Sequence, residues 1–311
     1  MNILNSVSKE SGLSVTDLLA FSKTCPHRYK VYFIAKRNSD AKRVIAQPSK
    51  EVKYLQGAVI KIFKSFDLVH EAAFAYKDGI NIKQNAQVHA NQKYILKMDF
   101  KDFFPSITPD LLFSQLNIAK VFLSEKDKEF LSGLLFWKRR RNSKLRLSIG
   151  APSSPLMSNI VMYFFDSYIE SYCRLNRIRY TRYADDLCFS SSMAGGLDSV
   201  KDTVNKALRS FFGRKIRLNT AKTIFASKAM NRHITGITLT NDGKLSVGRD
   251  RKREIIAAVH KVSQGNSPDC SLKTLAGLIS YVHSVEGDFK DRLIKKYGEV
   301  IVQKIFDSLR E

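Results

Sequence analysis

Two adjacent carboxylates, Asp185 and Asp186, lie in the run Arg177-Ile178-Arg179-Tyr180-Thr181-Arg182-Tyr183-Ala184-Asp185-Asp186-Leu187-Cys188-Phe189-Ser190. Alternating apolar residues flank the pair on both sides, which predicts a β-hairpin with the acids at its turn. A hairpin tip holds two carboxylates rigidly, with no helix to hide them. Like charges so close repel, and a cation must offset them. A hard divalent cation such as Mg²⁺ takes oxygen ligands and commonly sits beside phosphates. Taken alone, Asp-Asp is most often an ordinary polar turn, so the rest of the chain has to decide.

A third acid stands at the end of an apolar run, Tyr94-Ile95-Leu96-Lys97-Met98-Asp99-Phe100, followed by Asp102, Phe103, Phe104 and Pro105. A carboxylate ending a buried strand is costly unless it is coordinated or hydrogen-bonded, although a helix-capping Asp would look the same. The 311 residues carry 52 Lys and Arg against 29 Asp and Glu, a net charge of +23. A surplus of that size points to a polyanionic partner. No apolar run suits a membrane-spanning helix and no N-terminal segment resembles a signal peptide. Cys25, Cys173, Cys188 and Cys270 are scattered, so neither a zinc site nor a disulfide framework is expected and a reducing cytoplasm fits.

The elements that must position these acids follow in order. Ser14 or Thr16 can cap a first helix through Phe21. Tyr29 to Ile34 and Arg43 to Ala46 read as a basic hairpin broken at Asn38-Ser39-Asp40. Pro48-Ser49 starts a helix with Val52, Leu55, Val59 and Phe63 at helical spacing. A short helix is expected over 80–90 and carries Asn85 and His89. Lys138 to Arg146 is a dense basic run that suits phosphate contact. It leads into Ile149-Gly150-Ala151-Pro152-Ser153-Ser154-Pro155, where Gly150 permits close backbone approach, and then into a long apolar helix to about Leu175. A helix over 197–211, strands around Lys222, a strand from Ile234 to Leu239 and a turn at Asn241-Asp242-Gly243-Lys244 come next. Three helices close the chain, over 249–263, 272–285 and 289–309, the first opening on Arg249.

Asp99 at a strand end, the Gly150 to Pro155 turn, Tyr183-Ala184-Asp185-Asp186 at a hairpin and Leu218-Asn219-Thr220-Ala221-Lys222-Thr223 occur in that order. This succession resembles reverse transcriptases from about Tyr29 to about Leu239. Asn85-Ala86-Gln87-Val88-His89 is similar to the Asn-Ala-x-x-His element of bacterial retron reverse transcriptases, and Ile234-Thr235-Gly236 sits where those enzymes carry Val-Thr-Gly. Ile149 departs from the family, which commonly has Gln before the turn glycine. That Gln normally touches the incoming nucleotide or the template.

The resemblance implies an α+β right-hand polymerase fold: N-terminal helix and fingers over 1–90, palm with an antiparallel sheet over 91–240 including the basic insertion near 138–146, and a helical thumb over 241–311. It implies RNA-directed DNA polymerisation with two Mg²⁺ ions roughly 3.5–4 Å apart. Asp99 and Asp185 would bridge both ions, Asp186 would be a weaker ligand, and the Phe100 carbonyl would complete one shell. Phe104 is implied as the steric gate that favours deoxynucleotides. Arg43 and Lys36 would grip the triphosphate, Gly150 and Ala184 would leave room beside nucleotide and primer, and Lys222 would protonate the leaving pyrophosphate. The implied partners are dNTPs, a cognate structured noncoding RNA primed from an internal guanosine 2′-hydroxyl, its branched RNA–DNA product, and an effector protein in phage defence. Asn85, His89, Ile234, Thr235, Gly236 and Arg249 are the candidates for holding that RNA. The alternatives are another bacterial reverse transcriptase, of group II intron or diversity-generating type, and a non-catalytic RNA-binding scaffold. The elements at Asn85 and Ile234 argue against the first, and the intact acids against the second.

Overall fold

A computed structural model describes residues 2–35 and 42–309. In chain order the helices are α1 (Ile3–Ser11), α2 (Val15–Thr24), α3 (Lys50–Lys64), α4 (Ile82–Gln87), α5 (Phe103–Ser106), α6 (Pro109–Ile118), α7 (Glu125–Leu135), α8 (Ser154–Leu175), α9 (Val200–Phe212), α10 (Arg249–Ser263), α11 (Leu272–Val285), α12 (Phe289–Tyr297) and α13 (Glu299–Asp307). The strands are β1 (Tyr29–Ala35), β2 (Lys42–Pro48), β3 (Tyr94–Asp99), β4 (Arg179–Tyr183), β5 (Asp186–Ser191), β6 (Ile224–Ser227), β7 (Arg232–Ile234), β8 (Ile237–Leu239) and β9 (Leu245–Ser246). β1 and β2 form an antiparallel pair with Phe33 opposite Val44 and Ile34 opposite Arg43. A second sheet has the order β4-β5-β3-β6, and a third the order β7-β8-β9.

The chain divides into two units, each continuous in space but not in sequence. The first comprises Met1–Gly79, Leu96–Phe189 and Gly195–Ile224. Its long helix α8 buries Met157, Ile160, Val161, Phe165 and Ile169, a stripe of helical period. Phe165 sets its ring 6.1 Å from Phe100 and 6.0 Å from Phe212. The residue after Asp99 is thereby locked into the core. Local caps fix the helix starts: Ser14 accepts from the Asp17 N–H and Ser49 from the Val52 N–H. The basic run is an exposed loop closed at its base by paired backbone bonds between Trp137 and Arg146.

The second unit comprises Ile80–Ile95, Ser190–Ala194 and Phe225–Glu311. Here the expected single strand from Ile234 to Leu239 is instead the hairpin β7–β8. Thr235 (φ +47°) and Gly236 (φ +85°) both take left-handed backbone at the two-residue turn, the geometry that matches strand twist. Ile234 therefore pairs with Ile237. Likewise the last expected helix is two, α12 and α13, because Gly298 breaks it at φ +86°. Half-buried Glu286 ties this unit together by accepting from the Ser246 hydroxyl, the Val247 N–H, Lys252 and Arg292. Burial pushes its carboxyl up, but these donors outweigh it and hold the pKa below the usual carboxylate range. Among the described residues no helix is long and apolar enough to cross a membrane.

Candidate active site

The three acids come together in the first unit by backbone pairing. The Phe100 N–H donates to the Asp185 carbonyl at 3.0 Å, so the strand ending at Asp99 lies against the Asp185-Asp186 turn. Between β4 and β5 the turn is very tight, and Ala184 adopts φ +56°. A left-handed backbone at a residue with a Cβ must be held by its surroundings. The holder is Arg182. Its fully buried guanidinium donates to the Ala184 carbonyl at 3.1 Å and to Asn159 Oδ1 at 3.0 Å. It also makes a two-pronged pair with Asp166, Nε to Oδ1 at 2.9 Å and Nη2 to Oδ2 at 2.6 Å. The Tyr180 hydroxyl adds a further bond to Asp166. A charge pair with no solvent needs this completeness to offset desolvation.

The Arg182 backbone and its partner Asn159 also hold a second segment. Arg182 exchanges backbone bonds with Ala72 and Phe74, and Asn159 Nδ2 donates to the Ala75 carbonyl at 3.0 Å. The next residue, Tyr76, stands at φ +62°. Burial, with the charge of Asp185 next in weight, pushes its hydroxyl pKa up.

Electrostatics at the turn are unbalanced. Burial is the largest cause of the raised Asp185 pKa, and the Asp99 charge adds to it. Asp186 is pushed up to about 6, first by its protein surroundings and then by Asp185 and Asp99, although its surface is exposed. Lys222, on the short turn of 3-10 helix at Thr220–Lys222, pairs with Asp99 Oδ2 at 2.8 Å. That bond raises the lysine pKa. Arg43, exposed on β2, acts on Asp185 from farther away. Lys222 thus pairs with Asp99 alone and acts on Asp185 and Asp186 only through its charge. Among the described residues no group of three or more His, Cys, Asp or Glu side chains is gathered closely enough to hold a metal ion, the three acids included. The all-oxygen donor set, with two of its carboxylates raised above their usual range first by burial and then by the charge of the neighbouring acids, fits hard divalent cations.

The Phe104 ring lies 6.3 Å from that of Tyr76, tilted at 61°. Both line a cavity of about 400 Å³ with Lys53, Ile149, Gly150 and Ala151. Gly150 has φ +122°, and a Cβ there would meet the Ala46 carbonyl at 3.1 Å. The close approach serves the bond from the Ala46 N–H to the Ile149 carbonyl at 2.9 Å, which hooks the turn onto β2. Ile149 thus places an apolar side chain on the cavity where a Gln was expected. Lys36 lies outside the described residues.

The second unit gathers the remaining candidates and changes three of them. His89 and Asn85 are fully buried, and Ile234 nearly so. His89 Nδ1 lies 2.6 Å from the Ser190 hydroxyl, and Asn85 Nδ2 donates to Thr235 Oγ1 at 3.3 Å. Expected as RNA contacts, these side chains are internal brackets, because a buried group cannot meet a strand of RNA. The turn residues Thr235 and Gly236, and Arg249, do reach the surface. Reasoning from sequence passed over Tyr76, Asn159, Asp166 and Arg182. A lone Asp in the apolar helix α8, seven residues from an Asn and so on the same face, was the available signal.

Residues 34–239 match the reverse transcriptase (RNA-dependent DNA polymerase) family. The chain is 46% identical to the Retron Ec83 reverse transcriptase of Escherichia coli over 93% of both chains. It is 30% identical to the Retron Ec86 reverse transcriptase of the same organism, over 96% of this chain and 92% of that one. Among solved structures the apo telomerase of Candida tropicalis shares its fold, with a TM-score of 0.53 at 12% identity; the match covers 88% of this chain and spans 58% of the telomerase chain. The acid turn and these likenesses together identify the chain as a member of the bacterial retron reverse transcriptases, which are RNA-directed DNA polymerases of right-hand fold.

Proposed function

We propose that the chain copies a cognate structured noncoding RNA, starting from the 2′-hydroxyl of an internal guanosine, so that single-stranded DNA branches from the RNA. The observation that carries this is the Phe100–Asp185 backbone bond. It sets Asp99 beside the Asp185-Asp186 turn in a chain 46% identical to a retron reverse transcriptase.

Asp99 and Asp185, with Asp186 as an outer ligand and the Phe100 carbonyl, would hold two Mg²⁺ ions. Bound there, the ions neutralise charge at the attacking and leaving oxygens and acidify the primer hydroxyl. The chain's own residues do the rest. The Phe104 ring lies under the sugar and excludes a 2′-hydroxyl. Arg43, with Lys36, orients the triphosphate, and Lys222 gives its proton to the departing pyrophosphate. Gly150 and Ala184 keep Cβ bulk away from the nucleotide and the primer end. The Thr235-Gly236 turn and Arg249 contact the RNA. The enzyme works in the cytoplasm with an effector protein in defence against phage, in a division of 1–90 fingers, 91–240 palm and 241–311 thumb.

Sequencing the nucleic acid that copurifies with the protein tests this directly, and branched RNA-linked DNA is expected. The Asp185→Asn variant should carry none and should lose at least about a hundred-fold in primer extension with Mg²⁺. Unbranched DNA alone from the wild type would refute priming from a 2′-hydroxyl. Undiminished extension by the variant would remove Asp185 from the metal site.

A further inference from the structure

We propose that Tyr76 is a positioning residue for sugar selection: its ring buttresses Phe104 and fixes the face that the gate presents to the nucleotide. This rests on Phe104 being the gate. Three observations support it. The Tyr76 ring meets Phe104 in an edge-to-face arrangement at 6.3 Å, and both line the same cavity. Edge contacts of this kind favour one ring orientation over others. Phe104 also meets Phe103, at 5.5 Å and 60°, and Phe103 is buried and stacked on Phe100 at 5.2 Å. The gate ring therefore contacts one core aromatic and one exposed tyrosine.

The second observation is the backbone of Tyr76. A bulky residue at φ +62° is an outlier that neighbouring contacts must impose. Those contacts are the Asn159 bond to the Ala75 carbonyl and the backbone exchange of Arg182 with Ala72 and Phe74.

The third is what else those residues hold. Asn159 accepts from the Arg182 guanidinium, which also donates to the Ala184 carbonyl. One buried charge therefore fixes both the acid turn and the segment that aims Tyr76. Sugar selection and phosphoryl transfer share a single rigid frame, so the gate cannot drift relative to the acids.

The test is competition between a deoxynucleotide and the matching ribonucleotide for one primer–template, which divides out any loss of folded enzyme. Tyr76→Ala should raise the ribo-to-deoxy incorporation ratio about three- to ten-fold. Tyr76→Phe keeps the ring and should stay near wild type. Phe104→Ala should raise the ratio further, and adding Tyr76→Ala to it should change nothing more, because the buttress has lost its object. An unchanged ratio in Tyr76→Ala, or an effect that multiplies with Phe104→Ala, overturns the proposal. If Phe104→Ala alone leaves the ratio unchanged, the gate assignment itself fails, whatever Tyr76→Ala does, and the buttress fails with it. A Tyr76→Phe variant as permissive as Tyr76→Ala would move the effect to the hydroxyl and also overturn it.

Discussion

Lys222 Nζ sits 2.8 Å from Asp99 Oδ2, the one ion pair that any of the three acids makes among the described residues. Its side chain is otherwise more than half exposed, so the position tolerates replacement without loss of packing. Two roles are open to it, counter-charge for Asp99 and proton donor to pyrophosphate, and they separate kinetically. As a donor, Lys222→Ala should lower the single-turnover rate about 10²- to 10⁴-fold with little change in nucleotide affinity. A loss confined to weaker nucleotide or metal binding would leave counter-charge as its only role.

Asp186 makes the metal-free protein pH-sensitive. Its carboxyl is pushed up to about 6 in the fold from an ordinary 3.8. The folded state therefore holds a proton that the unfolded state has given up. Stability falls as pH rises between those values, and above about 6 the full penalty of charging Asp186 is present. Asp186→Asn should melt at the same temperature as the wild type near pH 4 in EDTA and higher than it at pH 8. Adding Mg²⁺ should raise the wild-type melting temperature at pH 8 more than at pH 5, and the variant's less at either. A wild-type–variant difference that does not vary with pH would contradict this.

The Arg182–Asp166 pair bears on stability in the opposite sense. Asp166→Asn leaves a guanidinium with no solvent and an incomplete set of acceptors. Removing one partner of such a pair costs about 3–5 kcal/mol. Denaturant melts should show that loss. Where the variant still folds, primer extension should fall as well, because the Ala184 carbonyl loses a fixed donor. Asp166→Leu paired with Arg182→Met should recover stability without recovering activity. Recovered activity would mean that packing alone shapes the turn.

Much of this frame is legible in the residues. Alternation around Asp185-Asp186 predicts the hairpin, Ser49 predicts where α3 begins, and of the two caps open for α2, Ser14 and Thr16, the fold uses Ser14. The apolar run to Asp99 predicts β3. What sequence hides is long-range satisfaction. Arg182 reads as a charge on a surface strand, because nothing local says that Asp166 and Asn159 will meet it inside. Tyr76 carries no mark of its left-handed backbone, which is imposed by bonds to Ala72, Phe74 and Ala75. Asn85 and His89 form a recognisable element, yet the pattern does not say whether it faces RNA or core. Burial decides for the core.

The second unit offers the cationic surface that an RNA partner needs. Arg249, Lys252 and Arg253 on α10 and Arg292 and Lys296 on α12 line a cleft of about 260 Å³ floored by Ile256, Phe289 and Leu293. The cations are not equivalent. Lys252 and Arg292 are engaged by Glu286 at 2.9 and 3.2 Å, so removing either also loosens the anchor of the bundle. Arg249 and Arg253 are exposed and have no carboxylate partner among the described residues. They are the pair whose loss reports on binding alone. Each phosphate contact adds about 0.7–0.9 to the slope of log affinity against log salt, because a bound counterion is released. Arg249→Ala with Arg253→Ala should therefore lower that slope by about 1.5 and weaken RNA binding most at low salt, with the melting temperature unmoved. Filter binding across a salt series measures it. A slope unchanged in the double variant would move the RNA-docking surface away from α10, and the exposed loop at 138–146 would be the next segment to neutralise.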